Sequence, residues 1–168
     1  MTIITTPLTK LFKIKHPIFL AGMNVAAGPG LAAAVTNAGG LGTFVKHTFA
    51  NSRCYWWCWI VFPFAPPALT NSTPKMLKEQ IDELKEGLKD KNAPFGVDLL
   101  LPQVGGSARK TNYDYTHGQL DELIDVIIES GATLFVCAVG VPPKKVVDKL
   151  HQANISIMST STCLRSPG

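Results

Sequence analysis

The sequence predicts an α/β fold in which parallel strands alternate with helices. Short apolar runs, typical of strands that are buried on both faces, recur along the chain. These runs are His16–Gly22, Pro94–Leu101, Thr133–Gly140 and Ile155–Met158. Between them lie segments whose apolar residues repeat at helical spacing. Strands that alternate with helices in this order form a parallel sheet through right-handed crossovers.

Each predicted helix has its own start or stop signal. Residues Leu31–Ala38 are mostly small and let a helix lie close to a sheet, and Gly39 and Gly40 end this helix. Thr73-Pro74 is an N-cap followed by a proline at the first helical position. The apolar stripe of the helix that starts there is Leu77, Ile81, Leu84 and Leu88. A third helix ends at Gly131, and its apolar residues are Leu120, Leu123, Ile124, Ile127 and Ile128. A fourth ends at Asn154, and its apolar residues are Val146, Val147 and Leu150.

Two architectures fit this order of elements. A doubly wound sheet of five strands fits the length of 168 residues. A (β/α)8 barrel fits the pattern but needs about 250 residues, so that the chain would form only part of one. Length favours the first, whereas the residues discussed below favour the second. We therefore predict a partial TIM (β/α)8 barrel, roughly its first half, as a single domain over residues 1–168.

Composition argues against several classes of protein. The net charge is only +4, and the lysines of the Thr73 helix are interleaved with acids, which is typical of a solvated face and not of a nucleic-acid surface. The four cysteines form no disulfide framework, and Cys54 and Cys58 lack a partner pair at metal-ligand spacing, so no metal is predicted.

The N-terminus shows no basic region followed by a long apolar stretch, so no signal peptide is expected. The apolar stretch Trp56–Ala68 is broken by prolines and shorter than the roughly 20 residues that span a membrane. We therefore expect a cytoplasmic protein with no membrane segment.

Several segments together resemble one enzyme family. His16–Met23, followed by Leu31–Gly42, resembles the opening of the nitronate monooxygenase family, formerly called 2-nitropropane dioxygenase. Pro94–Leu99 resembles its third strand, and Gly105–Tyr115 resembles the loop that follows in one subgroup. The resemblance implies a TIM-barrel flavoprotein with non-covalent FMN that oxidises alkyl nitronates with molecular oxygen. Enoyl-acyl carrier protein reductase II, which shares the barrel and the FMN, is a related alternative.

The resemblance assigns flavin contacts to two places, one at the end of the first predicted strand and one within the strand Pro94–Leu101. Barrel active sites lie at the carboxyl ends of strands. Ala21, Gly22 and Met23 follow the first strand. Gly22 allows the backbone to approach a flat ring, and Met23 can contact the isoalloxazine edge through its amide or thioether. The alternative, favoured by the residues alone, is a tight β-to-α turn with Met23 packed in the core.

Asp98 is a single acid inside an apolar strand. Because an unpaired buried carboxylate is costly, Asp98 needs a partner, either a flavin N–H group or a nearby hydroxyl. The family often has Asn at this position, which can both donate and accept. A structural carboxylate that caps a neighbouring turn is an equal alternative.

No catalytic residue is predicted, because the resemblance places the catalytic histidine in the second half of the barrel. His117 and His151 do not match it by position. A set of polar residues in the loop after the third strand either lines the substrate entrance or is simply solvated: Arg109, Lys110, Asn112 and Tyr113.

Residues Thr43–Ser72 look foreign to this pattern. They contain all three tryptophans, Trp56, Trp57 and Trp59, and no Asp or Glu. In the family a Gly- and Val-rich second strand follows the position of Gly42. Codons that fit Cys54–Ile60 spell such a strand when they are shifted by one base, and Gly42–Phe44 can be encoded with the splice-donor sequence GTACGT. We therefore predict that residues 43–72 are an aberrant insert, intron-derived or out of frame, that replaces the second strand, and that 159–168 is a tail foreign to the family.

These observations predict an FMN-dependent oxidoreductase of nitronate monooxygenase type, with a nitronate and oxygen as its small-molecule partners. As a half barrel, the chain is expected to bind FMN weakly or not at all and to show no turnover. The alternative outside enzymology is an α/β module that binds a partner through its tryptophan-rich segment. The oligomeric state is left open.

Overall fold

The computed structural model describes residues 4–23, 26–45, 73–101, 116 and 118–159. Within these ranges the helices are α1 (Pro7–Phe12), α2 (Pro29–Asn37), α3 (Pro74–Gly87), α4 (Leu120–Ser130) and α5 (Lys144–Gln152). The strands are β1 (Gly42–Val45), β2 (Phe95–Leu101), β3 (Leu134–Val139) and β4 (Ser156–Ser159). The helices α2 to α5 and the strands β2 to β4 agree with the predicted elements to within a few residues.

The four strands form one parallel sheet in the order β1-β2-β3-β4. An isolated parallel bridge between Phe19 and Leu41 lies beside β1 and continues this order on its outer side. A doubly wound sheet reverses its strand order at a switch point, whereas the strands of a (β/α)8 barrel follow one another in sequence. The described strands are therefore part of a barrel wall, and the doubly wound alternative is wrong.

The two faces of the sheet are covered differently. Helices α2 to α5 pack on one face, and the large core there includes Phe44, Leu77, Val97, Ile124 and Leu150. Of the described helices, α1 alone contributes to the smaller core on the other face. That core consists of Phe12, Ile14, Leu41, Leu134 and Val136, with Phe19 packed against it. The second face is the interior of the barrel wall, and α1 closes part of it.

Helix α2 lies unusually close to β1, as its small residues predicted. A Cβ atom on Gly42 would overlap the carbonyl oxygen of Ala32 and would lie 2.7 Å from Oγ1 of Thr36. The same Oγ1 accepts a hydrogen bond from the Gly42 N–H at 3.0 Å and donates one to the Pro94 carbonyl at 3.4 Å. Thr36 therefore ties the helix to β1 and to the start of β2.

The first part of the chain differs from the prediction in two respects. The first strand is reduced to the single bridge at Phe19, and Ile18 is 60% exposed because the described residues put nothing over this edge. Helix α1 was not predicted, although Thr6 and Thr9 form its capping box and Pro7 stands in its first turn. Gly42–Val45 forms β1, a strand that includes residues 43–45 of the insert predicted over 43–72.

The origin of the remaining insert residues and of the tail stays a prediction, since 46–72 and 160–168 lie outside the described residues. None of the described helices is long and apolar enough to cross a membrane.

Candidate functional site

The residues of interest lie on the interior face of the sheet, in a row that joins the last residue of β1 to the middle of β2 and β3. Val45, Asp98, Val136 and Met158 are register partners on four adjacent parallel strands. Partners in a parallel sheet point to the same face, and Val136 belongs to the interior core, so this row faces the barrel interior. Asp98 is thus a carboxyl group within an otherwise apolar row, and it is only 3% exposed.

Gly22 lies directly against the Asp98 side chain. A Cβ atom on Gly22 would overlap Oδ2 of Asp98 and would lie 2.7 Å from both Cγ of Asp98 and Cγ2 of Val45. The absence of a side chain at Gly22 is therefore what makes room for the carboxyl group. The sequence predicted that Gly22 allows the backbone to approach a ligand ring. In the structure, the Asp98 carboxyl group occupies the space that a side chain at Gly22 would fill.

The Asp98 carboxyl group is poorly solvated. Its Oδ1 atom is buried and accepts no hydrogen bond within the described part of the chain. Burial raises the pKa of Asp98 from 3.8 to about 7, because a charged carboxylate loses its hydration there. A buried polar atom without a partner calls for a physical explanation, and a bound water, ion or ligand is one such explanation. The structural alternative, a carboxylate that caps a neighbouring turn, stays a prediction.

Ala21 and Met23 flank Gly22 at the same end of the sheet. The side chain of Met23 is 44% exposed, so the alternative in which Met23 packs in the core is wrong. The described residues leave Met23 accessible beside Gly22 and Asp98. The structure thus brings Gly22 and Asp98 into contact and places Ala21 and Met23 next to them.

Other residues considered from the sequence do not join this group. The loop residues Arg109, Lys110, Asn112 and Tyr113, and also His117, lie outside the described residues. His151 is exposed in the last turn of α5. No cluster of three metal-ligating side chains occurs over the described ranges.

A cavity of about 730 Å³ lies at the opposite end of the sheet. Its lining includes Pro94, Thr133 and Ser156, which are at or just before the starts of β2, β3 and β4. Active sites of (β/α)8 barrels lie at the carboxyl ends of the strands, so this cavity is not the candidate site.

The sequential parallel strands and the outer layer of helices define part of a TIM-barrel wall, and a buried carboxyl group lies on its interior face. The nitronate monooxygenase family model matches residues 5–166, so the chain belongs to this family. This finding confirms the resemblance seen in the sequence.

Two curated relatives show the extent of the match. A probable nitronate monooxygenase from Staphylococcus saprophyticus subsp. saprophyticus is 27% identical over 164 residues, which cover 95% of this chain and 43% of that protein. A probable nitronate monooxygenase from Staphylococcus aureus strain JH9 is 22% identical over 184 residues, with 92% and 42% covered. The chain therefore spans less than half the length of these relatives.

Solved structures agree on the fold. FabK from Thermotoga maritima superposes with a TM-score of 0.60 at 26% identity, over 93% of this chain and 37% of that one. A nitroalkane oxidase from Streptomyces ansochromogenes superposes with a TM-score of 0.61 at 22% identity, over 94% of this chain and 43% of that one. The predicted partial barrel is thereby confirmed.

Proposed function

We propose that the protein is an FMN-dependent oxidoreductase of nitronate monooxygenase type, which oxidises alkyl nitronates with molecular oxygen. The observation that carries this proposal is the contact between Gly22 and the buried Asp98 carboxyl group on the interior face of the barrel wall. Membership of the family supports the reaction class. Because the chain spans less than half the length of its relatives, we propose this activity for a full-length barrel of this type and expect the 168-residue chain to show no turnover.

The residues at the site fit a flavin. Oδ1 of Asp98 is a buried polar atom that needs a partner, and a flavin ring offers N–H and carbonyl groups along one edge. We propose that Ala21, Gly22 and Met23 contact the ring through their backbone, and Met23 also through its accessible thioether. When bound, FMN supplies electron transfer between the nitronate and oxygen.

The part played by this chain is binding and orientation. The apolar neighbours Val45 and Val136 exclude water beside Asp98, which strengthens any hydrogen bond that the carboxyl group makes there. Gly22 fixes the position of that carboxyl group by giving it space. We assign no general base to the described residues.

A second candidate is a flavin-dependent reductase of the enoyl-acyl carrier protein reductase II type. The superposition of FabK supports this second candidate. FabK superposes on the chain with a TM-score of 0.60, and nitroalkane oxidase superposes with a nearly equal TM-score of 0.61. The two candidates share the flavin site and differ in the substrate. Oxygen consumption with an alkyl nitronate, compared with enoyl-thioester reduction by the same preparation, distinguishes them.

The cofactor proposal is tested on the purified 168-residue chain by visible absorbance after FMN is added and excess is removed. We expect weak binding and no turnover, because this part supplies only one wall of the site. A stoichiometric yellow complex that turns over nitronate would contradict that expectation.

The activity is tested on a chimera that joins this chain to the remaining part of the Staphylococcus saprophyticus relative. Nitronate-dependent oxygen consumption by the chimera supports the proposal if it is lost on Asp98→Leu. A folded chimera that binds no FMN would contradict it.

A further inference from the structure

The surroundings of Asp98 contain no compensating charge among the described residues. From β1 the neighbour is Val45, from β3 it is Val136, and from β4 the same row continues with Met158. The segment before α2 contributes Gly22, which presents only backbone. The described titratable group that interacts with Asp98 is the Cys137 thiol, whose pKa is raised by burial and further by the Asp98 charge.

A carboxyl group in such a place is more stable with its proton. A buried carboxylate is strongly disfavoured unless a cation or several hydrogen-bond donors face it, and the described residues provide neither at Oδ1. Cys137 cannot help, because an ionised thiol would add a second negative charge. Once protonated, the carboxyl group can donate a hydrogen bond as well as accept one.

We propose that Asp98 meets the flavin as an uncharged carboxylic acid, which donates a hydrogen bond from Oδ1 to a ring carbonyl oxygen, so that flavin affinity falls as the pH rises. This inference rests on the proposed flavin site and extends it with a protonation requirement. Loss of the proton would replace the donor with a negative charge that faces the carbonyl oxygen.

The pH range follows from the pKa of Asp98, which burial raises to about 7. For a carboxyl group whose pKa lies midway between pH 6 and pH 8, the protonated fraction falls about tenfold over this range. If only the acid form binds, the dissociation constant rises by the same factor of about ten. The matched variant Asp98→Asn keeps a donor of similar size that does not titrate, so its affinity should be unchanged over this range.

The test is a titration of the 168-residue chain and of Asp98→Asn with riboflavin at pH 6, 7 and 8, followed by quenching of flavin fluorescence. Riboflavin avoids the phosphate of FMN, which titrates in the same range. A parallel measurement on the flavin-free chain, ¹³C NMR of the Asp98 carboxyl carbon with Asp98→Asn as the assignment control, reports protonation directly.

We expect about tenfold weaker riboflavin binding by the original chain at pH 8 than at pH 6, no change for Asp98→Asn, and a carboxyl carbon that titrates near neutral pH. A pH-independent affinity of the original chain, or the same dependence in Asp98→Asn, overturns this inference and leaves the flavin site standing. A carboxyl carbon that titrates near its ordinary pH overturns it as well. If neither the 168-residue chain nor the chimera with the Staphylococcus saprophyticus relative binds riboflavin or FMN at any pH, the inference and the proposed cofactor both fail.

Discussion

Oδ2 of Asp98 fills the space in which a side chain at Gly22 would lie. The two residues come from distant parts of the chain, one before α2 and the other in the middle of β2. Their contact fixes the carboxyl end of the predicted first strand against the barrel interior, although the strand itself is reduced to one bridge. The side chain at each of these two positions therefore limits the size of the side chain that fits at the other.

The first prediction is that Gly22→Ala destabilises the chain. The added methyl group would overlap Oδ2 of Asp98 and crowd Val45, so either the carboxyl group or the backbone must move. Overpacking of this kind costs about 1–3 kcal/mol. Urea unfolding measures the loss, and Gly30→Ala is the control, because a Cβ on Gly30 in α2 meets open space. Equal stability of the two variants would show that Gly22 and Asp98 do not touch.

The second prediction concerns the pH dependence of folding. The pKa of Asp98 is raised above its unfolded value of 3.8 to about 7, so its contribution to stability is fully present below pH 3.8 and is lost as the pH rises through 7. A difference of about three pKa units corresponds to about 4 kcal/mol as an upper value. Unfolding free energies of the original chain minus those of Asp98→Asn, measured from pH 4 to pH 8, should fall over this range. A difference that rises with pH would mean that Asp98 is paired with a cation.

The third prediction is that Thr36→Val weakens the junction between α2, β1 and β2. Valine keeps the shape of threonine but leaves the Gly42 N–H and the Pro94 carbonyl without their partner. A buried donor that loses its hydrogen bond costs about 1–3 kcal/mol. Thr36→Ser, which keeps the hydroxyl group, should lose clearly less in the same thermal or urea unfolding experiment. The opposite order would indicate that the methyl group matters more than the hydrogen bonds.

The fourth prediction is that α1 stabilises the interior face of the sheet. Phe12 is buried there and contacts Phe19 edge to face, with ring centroids 5.4 Å apart. Phe12→Ala should cost about 3 kcal/mol and should speed amide hydrogen exchange of β3. Leu11 is on the same helix but 62% exposed, so Leu11→Ala should change neither quantity. Similar effects of both substitutions would contradict the assigned role of α1.

The fifth prediction concerns the insert. If residues 43–72 derive from an intron or a shifted frame, the DNA that encodes Cys54–Ile60 must read Gly, Val and Ile codons one base away. Genomic sequencing across this segment, together with the transcript, checks the reading directly. Any other codon choice shows that the segment is a true insertion.

Most of the regular fold followed from the sequence, because helix stripes and apolar runs are local signals. Leu77, Ile81 and Leu84 of α3 are buried as their spacing predicted, and Asn154 follows α5 with a positive φ of 58°. Helix α1 was missed, since six residues are too few to show a helical period. Its Thr6-Pro7 start is the same kind of signal as Thr73-Pro74 and would have revealed it.

The site was predictable in part. The sequence singled out Asp98 as a polar residue in an apolar strand, but it could not show that Gly22 makes the space for it, because that contact joins two distant segments. Local sequence signals also could not predict that the first strand is reduced to a single bridge. Whether residues such as Ile18 are paired and covered depends on what packs along that edge, and periodicity does not report this.

The order of the strands also has a consequence for how the chain is made. Among the described strands, each of β2, β3 and β4 pairs with the described strand that precedes it in the chain. Each of these βα units can therefore dock onto an edge that has already been synthesised. The pairings still join residues far apart in the chain, such as Gly42 and Phe95, so each strand can pair only after the segment between it and its partner has been made.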